Sequence, residues 1–145
     1  MVKVRIVCVG KLKESYWRDA VNEYTKRLSR FCDLEIRELP ERATLEAEGA
    51  DILRACRGHV VALAVEGKGC SSEQLAANVK ALQGAGKELT FVIGSSTGLA
   101  PAVKAAANEL LSFSEMTFPH QLMRVVLLEQ VYRAFMINAG AEYHK

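Results

Sequence analysis

Apolar and polar residues alternate along this chain with two periods, one typical of strands and one typical of helices. Residues 2–9 begin with apolar and basic positions in alternation and then become continuously apolar, which predicts a strand ending at Gly10. From Ser15 onward, apolar residues recur at steps of three and four: Trp17, Ala20, Val21, Tyr24, Leu28 and Phe31. This stripe predicts a helix whose N-terminus is capped by Ser15 and whose apolar face packs on another element.

Four further segments have the pattern of strands. Residues 34–39 alternate with period two and stop at a proline, which favours a strand at a sheet edge. Residues 59–65 and 89–93 are almost wholly apolar, which favours buried strands, and residues 66–69 read as a loop between them. Residues 112–116 are predicted to form a short fifth strand.

Helices are expected between these strands. Residues 41–57 are predicted as an acidic loop that runs into a short helix. Ser71-Ser-Glu-Gln74 has the pattern of a capping box and predicts the start of a helix that ends at Leu82. Pro101 stands where the first turn of the next helix would begin.

This alternation of strands and helices predicts an α/β fold, a single domain over residues 1–145. Strands that are joined by helices pair in parallel, so we expect a parallel-type sheet with helices on both faces. Ligands of such sheets bind beyond the carboxyl ends of the strands. The site is therefore expected in the loops after Val65, Ile93 and Met116.

The last predicted helix, about Gln121 to Asn138, is apolar around most of its circumference. A surface helix needs only one apolar stripe to pack on its own domain. A second copy of the chain could cover the remaining apolar surface, and we therefore predict a homodimer through this helix.

Composition excludes several classes of protein. Half of the residues are hydrophobic and a quarter are charged, unlike a disordered or fibrous chain. We expect a cytoplasmic protein without a membrane partner, because neither a secretory signal pattern nor a bilayer-length apolar run occurs. A net charge of +2 does not by itself indicate a polyanionic partner. The spacing of the four cysteines fits no metal site, so no bound metal is expected.

A glycine-rich segment, Gly94-Ser-Ser-Thr-Gly98, lies between a predicted strand and a predicted helix. Glycine flexibility and free backbone N–H groups would let a ligand approach the main chain there. The segment matches neither the dinucleotide-binding fingerprint nor the phosphate-binding P-loop. An ordinary strand-to-helix turn therefore stays an alternative to a binding loop.

Candidate catalytic side chains lie near the start and the end of the C-terminal region. His120 and Arg124 are one helical turn apart, and an imidazole beside a permanent cation suits an anionic substrate or a developing negative charge. The alternative is a capping histidine and an arginine in a surface salt bridge. Tyr143 could stack on a base and His144 could move a proton, unless the last residues form a free tail.

Several segments together carry a family resemblance. They are Val9-Gly-Lys-Leu-Lys13, Phe91-Val-Ile-Gly94, Leu111-Ser-Phe-Ser-Glu-Met-Thr-Phe-Pro-His120, Met123-Arg-Val-Val126, Glu129-Gln-Val-Tyr-Arg-Ala-Phe135 and Tyr143-His144. With them the chain resembles the RlmH (YbeA-like) family of SPOUT methyltransferases. The resemblance implies a C-terminal trefoil knot, a homodimer, and transfer of a methyl group from S-adenosyl-L-methionine to N3 of a pseudouridine in 23S ribosomal RNA of the assembled ribosome.

The same resemblance implies a set of site residues. The cofactor would contact Leu63, Gly94, Phe113, Ser114, Glu115, Met116, Thr117 and Phe118. The RNA would face His120, Arg124, Tyr143 and His144, with the last two completing the site of the partner subunit. Methyl transfer from a sulfonium is an in-line displacement that needs no metal. We hypothesise that Arg124 positions the RNA or stabilises the imide anion, while His120 or His144 assists deprotonation.

Two positions of the glycine-rich segment depart from the family pattern. Ser95 replaces the second of two adjacent glycines, and Thr97 replaces a Glu or Asn. A positive φ at Ser95 would strain the backbone and weaken cofactor binding. These departures leave a second hypothesis, a non-catalytic ribosome-binding or assembly factor with the same fold. Residues 40–57 are also shorter than is usual in the family.

Overall fold

A computed structural model describes residues 1–143 in full and residue 144 through its backbone. The strands are β1 (Lys3–Val9), β2 (Asp33–Leu39), β3 (His59–Lys68), β4 (Leu89–Ile93) and β5 (Glu109–Leu111). The helices are α1 (Ser15–Leu28), α2 (Leu45–Ala55), α3 (Ser72–Gly84), α4 (Pro101–Ala106) and α5 (His120–Asn138), followed by a short 3-10 helix, Glu142–His144.

The five strands form one parallel sheet in the order β2-β1-β4-β3-β5. All five residues of the central strand β4 are buried, and its first residue, Leu89, pairs with Val4 of β1 and His59 of β3. The parallel sheet and the edge position of β2 are as the sequence predicted. Because the strands share one direction, the loops after their carboxyl ends meet at one edge of the sheet.

Side chains alternate between the two faces of the sheet, as the pleat of a strand requires. Ile6 and Phe91 belong to the larger core, which includes buried residues of α1, α3 and α5. Val7 and Val92 belong to a smaller core with α2 and α4. Helices therefore cover both faces of the sheet, which confirms the predicted arrangement of layers.

Helix α5 packs against both α1 and α3. Its buried residues are Arg124, Leu127, Leu128, Val131, Tyr132, Ala134 and Phe135, so the chain itself covers one broad side of this helix. Other apolar residues, such as Leu122 and Val126, are half-buried. The homodimer stays a prediction for this remaining surface. In the described part of the chain, α5 included, no helix has both the length and the apolarity to cross a membrane.

Helix starts agree with the sequence at two places and disagree at a third. The capping box is confirmed, since Ser71 Oγ accepts the N–H of Gln74 and Gln74 Oε1 accepts the N–H of Ser71. Pro101 occupies the first turn of α4, as predicted. The prediction that Ser15 caps α1 is wrong, because Ser15 is already helical and Glu14 holds the cap position without a side-chain bond.

Two strand boundaries also differ from the prediction. Residues 66–68 continue β3 instead of forming a loop. The fifth strand is Glu109–Leu111, and residues 112–116 are irregular, so the strand predicted there is wrong. Ser112 Oγ donates to the carbonyl of Ser114 at 3.0 Å, and Ser114 Oγ accepts the N–H of Met116 at 3.0 Å. Such local side-chain bonds compete with strand pairing.

The contact between β3 and β5 predicts different effects of alanine at two nearby glycines. A Cβ atom on Gly67 would lie 2.7 Å from the carbonyl oxygen of Leu110, whereas one on Gly69 would have Ser112 O at 3.9 Å as its nearest neighbour. Gly67→Ala should therefore destabilise the protein by about 1–3 kcal/mol, the usual cost of overpacking. Urea unfolding measures the loss, with Gly69→Ala as the control that stays close to wild type; equal stability of the two variants would contradict the prediction.

Candidate active site

A cavity of about 530 Å³ opens at the carboxyl ends of β3, β4 and β5. One wall comes from the end of β3, another from the turn after β4, and a third from residues 113–119 and the first turn of α5. This is the edge of the sheet at which the sequence predicts the site. The cavity falls within the range of about 300–1,000 Å³ that is usual for small-molecule sites.

The turn after β4 exposes its backbone to this cavity. The N–H of Gly98 donates to the carbonyl of Ser95 at 2.9 Å, and Gly98 has a φ of +92°. A Cβ atom on Gly94 would lie 2.4 Å from the carbonyl oxygen of Gly98, so only glycine fits at position 94. None of the described non-glycine residues has a positive φ, and Ser95 therefore carries no such strain.

Seven of the eight residues proposed for the cofactor line the cavity: Leu63, Gly94, Phe113, Ser114, Met116, Thr117 and Phe118. Glu115 lies in the same segment with an exposed side chain. A polar pair that no local sequence pattern indicates also lines the wall, where Lys104 Nζ lies 2.5 Å from Glu66 Oε1. This ammonium holds the pKa of Glu66 below its ordinary value.

His120 lies at the rim of the cavity as the first residue of α5. Pro119 precedes it with an extended backbone, and the carbonyl of Pro119 accepts the N–H of Met123 at 2.9 Å. The helix therefore begins where proline ends the irregular segment, and this start holds the half-buried imidazole beside the cavity.

The side chain of Arg124 takes another direction. It is 2 % exposed, and its guanidinium donates to Glu38 Oε2 at 2.5 Å and to the carbonyl of Gly10 at 3.1 Å. Among the described residues its Nε atom has no hydrogen-bond partner. Arg124 thus joins α5 to the ends of β1 and β2, while its helical neighbour His120 faces the cavity.

Tyr143 packs on the C-terminal half of α5 in its own chain. Its hydroxyl donates to Glu129 Oε1 at 2.6 Å, and the guanidinium of Arg133 lies 5.0 Å from the centre of its ring. Arg133 Nε and the hydroxyl of Tyr24 also donate to the Glu129 carboxylate. Residue 143 therefore does not belong to a free tail. The prediction for the side chain of His144 lies outside the described residues.

The hydrogen bonds around Glu129 change the ionisation of this cluster. Burial acts to raise the pKa of Glu129, but the bonds from Tyr143, Arg133 and Tyr24 outweigh it, and the pKa is lowered. The pKa of Tyr143 is raised, chiefly by its bond to Glu129.

In the described part of the chain, no group of three His, Cys, Asp or Glu side chains is arranged to hold a metal ion.

Comparison with known proteins shows to which family the chain belongs. Residues 2–144 match the family described as "Predicted SPOUT methyltransferase". The chain belongs to the SPOUT methyltransferase family. Among curated relatives, the ribosomal RNA large subunit methyltransferase H of Bifidobacterium animalis is 53% identical over 99% of this chain and 100% of its own length. The protein of the same name from Streptococcus thermophilus is 48% identical over the same shares of the two chains.

Solved structures support the SPOUT fold. A probable methylase family protein from Haemophilus influenzae matches with a TM-score of 0.61 and 10% identity, over 98% of this chain and 70% of its own. A probable methyltransferase from Bordetella pertussis matches with a TM-score of 0.60 and 12% identity, over 92% of this chain and 95% of its own. AviRb from Streptomyces viridochromogenes, solved with the cofactor AdoMet, matches with a TM-score of 0.51 and 10% identity, over 97% of this chain and 61% of its own. At such identities these likenesses show the fold alone.

The cluster around Glu129 predicts an unusual pH dependence for this SPOUT protein. Burial, together with the bond to Glu129, raises the pKa of Tyr24 to about 12 from an ordinary value of 10.0. The unfolded chain loses this proton at lower pH than the folded chain, so stability should fall between about pH 10 and pH 12. Ultraviolet absorbance titration should show a tyrosine ionisation step near pH 12. This step should be absent from the titration of Tyr24→Phe.

Glu129→Gln is the matched variant for this titration, since it keeps the shape of the side chain and removes the charge. It should lower the pKa of Tyr24 while leaving the part that is due to burial. A Tyr24→Phe protein whose last ionisation step equals that of wild type would contradict the assignment.

Proposed function

We propose that the chain is an S-adenosyl-L-methionine-dependent methyltransferase that modifies N3 of a pseudouridine in 23S ribosomal RNA. The observation that carries the proposal is the cavity at the strand ends, walled by the Gly94–Gly98 turn and residues 113–118. Relatives that are named ribosomal RNA large subunit methyltransferase H, 46–53% identical over nearly the whole chain, support the substrate. The modified atom follows from the family resemblance of the sequence.

The residues around the cavity fit the proposed cofactor. Leu63, Ile93 and Phe113 offer apolar surface for an adenine ring, and the Gly94–Gly98 turn brings backbone groups to the same wall. When bound, S-adenosylmethionine would supply a methyl group on a positively charged sulfur. Apolar and backbone contacts can surround that sulfonium without a metal ion. With Leu63, Gly94 and Phe113, we assign cofactor contacts to Ser114, Glu115, Met116, Thr117 and Phe118.

Ser95 and Thr97 are the residues that motivate the non-catalytic alternative. Ser95 has an ordinary backbone conformation, and the cavity behind the turn is open. Both observations support the methyltransferase over a ribosome-binding factor that has lost its cofactor. Calorimetric titration with S-adenosylmethionine separates the two hypotheses, because only the methyltransferase should bind it.

His120 is the residue that we propose as the base. In its neutral form its imidazole can accept a proton from a ring nitrogen that is held at the cavity rim. Alignment of that nitrogen with the methyl group is the other task of the protein, since oriented reactants need less activation free energy. For Arg124 we propose a positioning role, because its contacts with Glu38 and Gly10 fix α5 one turn beyond His120.

The assembly that we propose is a homodimer with the trefoil knot of the family, acting in the cytoplasm on the assembled ribosome. The half-buried apolar residues of α5 would supply the dimer interface. Tyr143 and His144 would complete the site of the partner subunit. In this arrangement Glu129 would hold Tyr143, and with it the C-terminal segment, in place.

Ribosomes from a strain that lacks this protein provide the substrate for the decisive test. Incubation with the purified protein and S-adenosylmethionine should add one methyl group to a pseudouridine of 23S RNA, detected by mass spectrometry of nuclease fragments. His120→Ala should lower the single-turnover rate by about 10²- to 10⁴-fold, the usual contribution of a general base.

The matched control for His120→Ala is His59→Ala. His59 lies at the opposite end of β3, where its Nε2 is 2.5 Å from Glu109 Oε2. This variant should methylate at the wild-type rate. Full activity of His120→Ala would remove His120 from the mechanism, and absence of any methylated nucleotide with the wild-type protein would refute the proposed function.

A further inference from the structure

We infer that Glu48 is a positioning residue of the proposed cofactor cavity, which it serves by fixing the Gly94–Gly98 turn through a chain of hydroxyl groups. This inference rests on the proposed function and deepens it. It assigns a role to a residue that lies on α2, outside the segments that line the cavity.

Glu48 is buried, with only 5 % of its surface exposed. A carboxyl group in such surroundings needs hydrogen-bond partners to offset the loss of water. Oε2 accepts the backbone N–H of Arg42 at 3.1 Å, and Oε1 accepts the hydroxyl of Ser95 at 2.9 Å. Among the described residues, one of the two hydrogen-bond partners of this buried group is therefore a side chain of the cavity wall.

The hydrogen bond from Ser95 to Glu48 determines which residue is the donor in a second hydrogen bond, between Ser95 and Thr97. Ser95 Oγ and Thr97 Oγ1 lie 2.8 Å apart, and either could be the donor by distance alone. A serine hydroxyl has one hydrogen, and that of Ser95 is used on Glu48. Thr97 therefore donates to Ser95, which donates to Glu48. The chain of hydroxyls thus links Ser95 and Thr97 within the segment that the Gly98 N–H closes onto the Ser95 carbonyl.

The other end of this chain is attached to a close-packed pair of helices. A Cβ atom on Gly49, the residue after Glu48, would lie 2.9 Å from the Cβ of Ala100, so α2 approaches the start of α4 closely. Ala100 follows Gly98 by two residues. Glu48 thus connects Ser95, near the start of the turn, to the two helices that pack together just after its end.

A role in folding alone would make a different prediction from a role in positioning. If the only role of Glu48 were to make hydrogen bonds in the protein interior, its loss would lower stability. The affinity of the folded protein for the cofactor would stay unchanged. If it positions the turn, loss of the Ser95 hydroxyl should weaken cofactor binding even though this half-buried side chain contributes little to the core.

The first variant is Ser95→Ala, measured by calorimetric titration of S-adenosylmethionine and by thermal unfolding. Its Kd should rise about tenfold, the equivalent of one net hydrogen bond. Its Tm should fall as well, because the buried Oε1 of Glu48 loses its hydrogen-bond partner. KM for the cofactor should rise in parallel, and kcat with saturating cofactor should stay within about twofold of wild type. Glu48→Ala should give a similar Kd, and adding Ser95→Ala to it should cause no further loss.

Two further variants serve as controls. Glu48→Gln should stay within about threefold of the wild-type Kd, because an amide can still bond Arg42 and Ser95 with the hydroxyl chain reversed. Thr44→Ala removes the cap of α2, whose hydroxyl oxygen accepts the N–H of Ala47 at 3.1 Å. It should lower Tm through the loss of this cap and leave the Kd unchanged.

The outcomes distinguish this inference from the function on which it rests. Wild-type binding together with equal binding by Ser95→Ala overturns the role of Glu48 and leaves the proposed function intact. A parallel loss of affinity in Thr44→Ala and Ser95→Ala also overturns it, because general destabilisation would then explain both. No binding by the wild-type protein refutes the proposed function itself.

Discussion

Parallel pairing of the strands is the constraint on which the rest of this molecule depends. Because all five strands share one direction, the carboxyl ends of β3, β4 and β5 meet at one edge. The end of β3, the turn after β4 and the irregular segment 113–119 come together there. All of β4 is buried, and this burial fixes the position at which the chain leaves the sheet at Gly94. The cavity thus follows from the topology, and the side chains around it decide what it binds.

Two buried polar contacts then secure the rim, one on each face of the sheet. On one face, Glu48 holds Ser95. On the other, Arg124 holds Gly10 and Glu38 to the helix that begins at His120. Each contact joins segments far apart in the chain and takes a charged side chain out of water, a cost that specific hydrogen bonds must offset.

The sequence predicted the parallel sheet, the layers and most element boundaries, because the apolar strands and the stripe of α1 have clear periods. The prediction from the sequence was wrong where a strand is short or polar. β5 has three residues and one buried side chain, too few for a period. The end of β3 carries the charged residues Glu66 and Lys68, which interrupt its apolar pattern. The contacts of Glu48 and Arg124 depend on folding that brings distant residues together, so no local pattern indicates them.

A crystal structure of the protein with S-adenosylmethionine tests the central claim most directly. We expect the cofactor in the cavity behind Gly94, in contact with Leu63 and with residues of the 113–118 segment, beside the imidazole of His120. A cofactor bound elsewhere on the chain, or a cavity that the Gly94–Gly98 turn closes at saturating cofactor, would contradict this expectation.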